Sequence, residues 1–324
     1  MTVFARTDDA HFEALEDWPY EPRYHQWKDL RVHYVDEGPP DGPVMLLLHG
    51  MPTWGYLYRT MIPLLVEAGY RCIAPDHLGF GRSDKPTDAN WYSIARHTEV
   101  LTSLITSLDL HDVTLVCQDW GGPIGLAQAA TTPERFSRLI IMNTWLHHPG
   151  YEYTDAIRNW MTNWHEGGLF HREKPNVALI LLISARVVEP PVVFGALTTG
   201  AEPELTGDAA TMYAGFAAPF RGLADDAFNG LRMFPLSIPA NDYDSGNGAA
   251  QTMHYNVLLG WDKPVHFVWG GSDDVFTEAW GRTWAERMRA SFDLISEANH
   301  FLQNTDGPLV VDHILGRIAD ETAR

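Results

Sequence analysis

The run Val113-Thr114-Leu115-Val116-Cys117-Gln118-Asp119-Trp120-Gly121-Gly122 constrains this chain more than any other stretch. A β-branched, apolar segment ends abruptly in an aspartate, a tryptophan and two glycines, and an alanine-rich pattern at helical spacing follows from Ile124 to Ala130. This order predicts a buried strand, a sharp turn and a helix, with one side chain lifted on the turn. The turn resembles a known strand-to-helix elbow in which the residues two before and two after the centre are small. Gly121 meets that condition and Cys117 meets it in part, which puts Asp119 at the centre. A surface aspartate capping the next helix is the competing explanation.

The flanks extend the same grammar. Pro43 to Leu48 is a strand covered on both faces and ends in His49-Gly50-Met51-Pro52-Thr53-Trp54, before a helical pattern from Leu57 to Ala68. Arg71 to Ala74 is a second short strand, Ile94 to Leu108 an amphipathic helix, and Leu139 to Asn143 a further strand. Alternation of this kind predicts right-handed crossovers and a parallel sheet, with Arg23 to Val35 as an antiparallel hairpin at its edge. From Trp145 to Pro235 the alternation stops, and helical, aromatic-rich stretches broken by Gly and Pro take over. It resumes with the strand Val265 to Trp269, a helix near Glu278 to Ala290, the strand Phe292 to Ser296 and a terminal helix from about Pro308 to Ile318. The expected architecture is α/β: a mostly parallel central sheet flanked by helices, built from residues 1–144 and 236–324, with a helical cap inserted at 145–235.

Charge narrows the partners. With 42 acidic against 23 basic residues the formal net charge is -19, so neither nucleic acid nor an anionic membrane surface is an expected partner. Val177 to Leu197 is the greasiest stretch, but Arg186, Glu189 and Pro190-Pro191 interrupt it, which predicts a buried cap segment rather than a span. Cys72 and Cys117 fall in apolar strand-like runs and read as buried free thiols, suited to a reducing compartment; with no apolar h-region in residues 1–12, a cytoplasmic location is expected.

Open α/β sheets bind ligands at the carboxyl ends of their strands. Asp119 follows one strand, Asp273 follows another within Gly270-Gly271-Ser272-Asp273-Asp274, and His300 follows the last within Glu297-Ala298-Asn299-His300-Phe301. Singly, an aspartate after Gly-Ser is a turn residue and a histidine a packed or solvated one. Together, in the order acid, acid, base, they form a candidate nucleophile, orienting acid and base on one sheet edge.

At this point the chain resembles a known family, the haloalkane dehalogenases of the α/β-hydrolase superfamily. The resemblance is carried by His49 to Arg59 (HGMPTWGYLYR), Ala74 to Asp84 (APDHLGFGRSD), Gln118 to Gly122 (QDWGG), Ile141 to Thr144, Phe216 to Phe220, Trp261 to Pro264 and Asn299 to Gln303. It implies Asp119 as nucleophile, His300 as base and Asp273 as the acid behind it, although the neighbouring Asp274 stands where the family often has proline. A carboxylate suits an alkyl halide: displacement by serine would leave an inert ether, whereas aspartate leaves an ester that water can attack. The resemblance further implies backbone N–H groups of Met51 and Trp120 as the oxyanion hole, and indole donors to the halide from Trp120 and a cap tryptophan, Trp160, with Trp164 one helical turn on as the alternative. Met51 departs from the Glu, Gln or Asn usual after His-Gly, so its side chain cannot assist the halide. Trp145, Phe170, Phe216 and Phe220 are expected either to wall the pocket or to pack the cap.

A halogenated small molecule and a halide ion are the expected partners, in a monomer or small homo-oligomer, without cofactor or metal. His147-His148 reads as a solvated loop pair, since no further ligands sit at metal spacing. An epoxide hydrolase would share Asp119, Asp273 and His300 but needs two cap tyrosines, for which Tyr151, Tyr153 and Tyr213 are available. A serine esterase is disfavoured because Gly-x-Ser-x-Gly does not occur.

Overall fold

The computed structural model describes residues 1–166, 174–199, 202–240 and 242–323. Its central element is the strand Val113–Gln118, in which every residue is buried, as a strand apolar on both faces requires. Numbering only the main sheet, the strands are β1 (Arg23–Trp27), β2 (Leu30–Glu37), β3 (Val44–Leu48), β4 (Arg71–Pro75), β5 (Val113–Gln118), β6 (Phe136–Met142), β7 (Val265–Gly270) and β8 (Ser291–Ile295). They lie side by side in the order β8-β7-β6-β5-β3-β4-β2-β1. The six from β8 to β4 are parallel, while β2 runs antiparallel to β4 and β1 antiparallel to β2, so the aromatic N-terminal hairpin does close one edge. The order reverses at β5 and β3, the two central strands, and this is where a crevice opens at their carboxyl ends.

Helices cover both faces. Ile94–Ser107 and Gly121–Thr131 match the expected segments to within a few residues. The helix expected over Leu57 to Ala68 is instead a 3-10 turn, Gly55–Tyr58, and a separate helix, Ile62–Glu67. Pro63 explains the split, because proline lacks an N–H and is tolerated only in a first helical turn. A helix without a sequence expectation, Gly246–Leu258, packs on Gly121–Thr131.

Residues 145–235 contain no strand among the described residues and fold as helices Asp155–His165, Val177–Ser184, Pro190–Thr199, Gly207–Ala217 and Asn229–Leu236. Val177 to Leu182 are all buried, which accounts for their greasiness. Among the described residues no helix is long and apolar enough to cross a membrane. Cys72 and Cys117 are buried and free.

One expectation is corrected here: His147 and His148 are not a solvated pair but are buried. Each stacks on a tyrosine ring, His147 on Tyr243 at 4.4 Å and His148 on Tyr255 at 3.8 Å. One polar edge of each is held locally: His147 Nδ1 and Tyr153 Oη share a hydrogen bond of 2.6 Å, and His148 Nδ1 donates to the Leu146 carbonyl at 2.8 Å. Ring stacking and these local partners remove the reason for such a pair to face water. No cluster able to hold a metal ion occurs among the described residues.

Candidate active site

Asp119 sits at the carboxyl end of β5 with φ 49°, in the left-handed region that non-glycine residues rarely occupy. Such a conformation costs on the order of 1–3 kcal/mol and persists only where its surroundings over-determine it. Here the Asp119 N–H donates to the Asn143 carbonyl at 3.0 Å, and its own carbonyl accepts from the Gly122 N–H at 2.9 Å and the Thr144 hydroxyl at 2.5 Å. The two glycines are set by close approach. A Cβ on Gly121 would stand 2.8 Å from the carbonyl carbon of Leu48, and one on Gly122 would stand 2.9 Å from Thr144 Cβ. The helix therefore starts flush against the end of β3, and the turn delivers the carboxylate to the crevice.

Around that carboxylate the chain places donors. The Met51 N–H donates to Oδ1 at 2.7 Å and the Trp120 backbone N–H acts on the same group. Burial raises the Asp119 pKa, and although His300 and the two backbone N–H groups of Trp120 and Met51 oppose this, the net shift is upward. His300 Nε2 lies 3.8 Å from Asp119 Oδ2, and His300 Nδ1 donates to Asp273 Oδ2 at 2.9 Å. Burial alone would lower the His300 pKa; the charge and hydrogen bond of Asp273, with the charge of Asp119, outweigh it and raise the value above the ordinary 6.5. Asp273 is itself fixed by the Val275 N–H at 2.7 Å and the Asn143 amide at 2.8 Å. Asn143 spans the sheet, also accepting from the Gly270 N–H at 2.7 Å and donating to its carbonyl at 3.1 Å.

The ambiguity between the two aspartates resolves on burial. Asp274 has a side chain 84% exposed and pairs with Arg186 at 3.5 Å, whereas Asp273 is buried against the imidazole. Next neighbours on the backbone point apart, and only the fold says which one faces inward.

Above Asp119 lies a cavity of about 130 Å³ whose wall includes Met51, Trp120, Trp145 and His300 from the core. From the helix Asp155–His165 come Ile157 and Trp160, and from Val177–Ser184 come Ile180 and Ser184. Trp164 is fully buried and does not line the cavity, so of the two cap tryptophans Trp160 is the one facing Asp119's crevice. Of the four aromatic residues with two possible roles, Trp145 is a wall residue, stacked on Phe276 at 5.1 Å. Phe216 and Phe220 are not walls: Phe216 meets Tyr56 edge-on at 5.1 Å and Phe220 stacks on Phe228 at 4.9 Å, both in packing away from the cavity. Phe170 lies outside the described residues.

Sequence reasoning missed Val275 and Phe276 as walls, although their place directly after the strand-end pair Asp273-Asp274 was a usable signal. For Ile157, Ile180 and Ile238 there was none, since each is one apolar residue among many in the cap and its exit. Of the three tyrosines open to an epoxide-opening role, only Tyr153 lines the cavity, and its hydroxyl is hydrogen-bonded to His147 Nδ1 at 2.6 Å. Tyr151 packs edge-on against Tyr153 at 5.0 Å, and the Tyr213 hydroxyl accepts from the Asn176 amide at 3.0 Å. Among the described residues no converging tyrosine pair faces Asp119. The arrangement offers a desolvated carboxylate held by a backbone donor, an imidazole oriented by a second carboxylate, and the rings of Trp120 and Trp160 in the wall of an apolar chamber.

Comparison with known proteins identifies the fold and the family. A family model described as the alpha/beta hydrolase fold matches residues 43–306. A haloalkane dehalogenase of Psychrobacter cryohalolentis is 36% identical over 97% of this chain and 98% of its own length. Haloalkane dehalogenase 1 of Mycobacterium tuberculosis is 38% identical over 96% of this chain and 97% of its own. Among solved structures, the haloalkane dehalogenase DpaA of Paraglaciecola agarilytica, described as tetrameric, superposes with a TM-score of 0.82 at 31% identity, covering 96% of this chain and 97% of that one.

Proposed function

We propose, from the premise that this chain belongs to the haloalkane dehalogenases of the α/β-hydrolase fold, that Asp119 carries the hydrolysis of a carbon–halogen bond to alcohol, halide and proton. The observation that carries the assignment is the Asp119 carboxylate itself, with Oδ1 held by the Met51 N–H and Oδ2 facing His300 Nε2 across 3.8 Å in the cavity wall. Burial strips water from this carboxylate, which raises its basicity and its reactivity toward sp³ carbon.

In the first half-reaction a carboxylate oxygen forms the bond to carbon as the carbon–halogen bond breaks, and the electron pair leaves with the halide. The indole N–H groups of Trp120 and Trp160 receive that anion, since an apolar chamber supplies no water to solvate it. In the second, His300 Nε2 takes a proton from water, whose oxygen attacks the ester carbonyl of Asp119. Negative charge develops on the carbonyl oxygen, where the Met51 and Trp120 backbone N–H groups already point. Collapse releases the alcohol and returns the carboxylate, and one proton leaves to solvent. Asp273 keeps the proton on Nδ1, so that Nε2 is the free base, and stabilises the imidazolium as it forms.

Two buried free thiols fit a cytoplasmic enzyme, acting as a monomer or small homo-oligomer on a halogenated small molecule. Incubation with 1,2-dibromoethane and 1-bromobutane tests the assignment: bromide and acid should be released in equal amounts, and Asp119→Ala should abolish both while styrene oxide stays unopened. Bromide release surviving in Asp119→Ala at the wild-type rate would overturn it.

A further inference from the structure

Gln118, the last residue of β5, is fully buried beside the reacting groups, and the two half-reactions leave it without a task. Its side-chain nitrogen lies 2.9 Å from the His300 carbonyl and 3.1 Å from His300 Nε2. Its amide oxygen is buried with no hydrogen-bond partner. Rotating the amide by half a turn would set that oxygen against the His300 carbonyl oxygen, so the backbone of His300 decides that nitrogen faces the imidazole. One amide hydrogen goes to the carbonyl and the other is aimed at Nε2. The fold tolerates an orphaned carbonyl to keep this donor in place, and a buried unpaired polar group is costly.

A donor facing Nε2 is welcome only to a lone pair, that is, to neutral imidazole with its proton on Nδ1. The other groups around His300 pull the opposite way. Asp273 on the β7 loop and Asp119 on the elbow both favour imidazolium; Phe276 and Phe301 flank the ring without charge, Tyr151 near Asp273 carries none, and Arg186 is engaged with Asp274. Imidazolium across 3.8 Å from Asp119 would pair with it, tying up the nucleophile and consuming the base together.

We propose that Gln118 is a positioning residue whose amide N–H, aimed at His300 Nε2, holds the histidine neutral and keeps it off the Asp119 carboxylate until carbon has been captured. This rests on the assignment of Asp119 as nucleophile and His300 as base. The 3.1 Å contact is at the long end for such a bond, so water entering after alkylation can displace it from the lone pair.

The test is the pH dependence of the first-turnover bromide burst, measured by rapid mixing with 1,2-dibromoethane in wild type, Gln118→Met and Gln118→Glu. Met keeps the length and removes the donor; Glu replaces it with an acceptor. The acid limb should move up by about one pH unit in Met and further in Glu, with the Met burst above the limb within about threefold of wild type. A uniform loss of rate with an unmoved limb means a packing role and overturns the proposal. If Asp119→Ala releases bromide in the first turnover as fast as wild type, the assignment of Asp119 falls instead, so the two failures are separable. Should neither variant fold, nitrogen-15 NMR of wild type decides: the Gln118 amide proton should shift downfield as His300 deprotonates, with neutral His300 in the Nδ1–H form. An Nε2–H tautomer, or an amide signal indifferent to that titration, overturns the proposal.

Discussion

Replacing Trp160 by Phe removes one N–H while keeping an aromatic ring at the cavity wall and against Trp164, whose ring lies 5.5 Å away at 69°. A hydrogen bond to a charged partner contributes about 1.5–3 kcal/mol. Exposure decides where in that range each donor falls. Trp120 is only 2% exposed, edge-on to Trp145 at 4.7 Å and Phe234 at 5.4 Å, so its bond to a departing halide is fully shielded. Trp160 is half-buried, so water can take up part of the load. Trp160→Phe should therefore sit at the low end, about 1.5 kcal/mol or roughly tenfold in the bromide burst, and Trp120→Phe at the high end, roughly a hundredfold. Stopped-flow bromide release under single-turnover conditions measures the rate, and quenching of tryptophan fluorescence by added halide measures affinity for the anion. Trp164→Phe is the control: it should lower the thermal midpoint through lost packing and leave the burst alone. A Trp160→Phe enzyme within twofold of wild type on both assays, or a tenfold loss appearing in Trp164→Phe instead, would refute the reasoning.

Three further outcomes follow from the same geometry. Gly50→Ala should cost about a hundredfold or more in the burst with a folded protein, because its Cβ would overlap Asp119 Oδ1 and lie 2.5 Å from Asp119 Cβ, driving the carboxylate off its backbone donors; near-normal rates in a folded variant would count against the oxyanion site. His300→Gln should release about one equivalent of bromide and then stop, with intact-mass spectrometry showing the alkyl group retained on the protein. In wild type both half-reactions should fail as pH falls through the His300 pKa, since protonation removes the base for ester breakdown and lets the imidazolium pair with the Asp119 carboxylate before the burst. Asp119 contributes to raising that pKa only while charged, so the limb for ester breakdown should lie at lower pH than the limb for the burst, and rapid-quench profiles with coincident limbs would contradict this.

The parts of the site legible in the sequence are those that one strand end dictates locally. Asp119 was found because a turn of this kind needs small flanks, and Gly121 and Gly122 carry that need in the chain itself; the structure adds that Leu48 and Thr144 are what they must avoid. Asp273 and His300 were found by their place after strands, a property of α/β sheets in general. The resemblance favoured Trp160 over Trp164, but residues one turn apart on a helix share a face, and only the packing of Asp155–His165 on the core tells which ring meets the cavity. His147 and His148 were misjudged because the partners that bury them, Tyr243 and Tyr255, lie about a hundred residues away. The orphaned amide oxygen of Gln118 has no signature in sequence, since any glutamine ending a strand could turn either way.

By itself, the order of residues determined the sheet, the elbow and the carboxylate placed on it, because hydrophobic periodicity, turn chemistry and strand ends are local properties that leave local marks. Tertiary structure decided what the sequence could prefer but not fix, namely which of two adjacent aspartates turns inward, which cap tryptophan lines the chamber and which nitrogen of the imidazole faces Asp119. Those choices depend on distances between segments far apart in the chain, and side-chain direction is settled only when the surfaces that bury it have met.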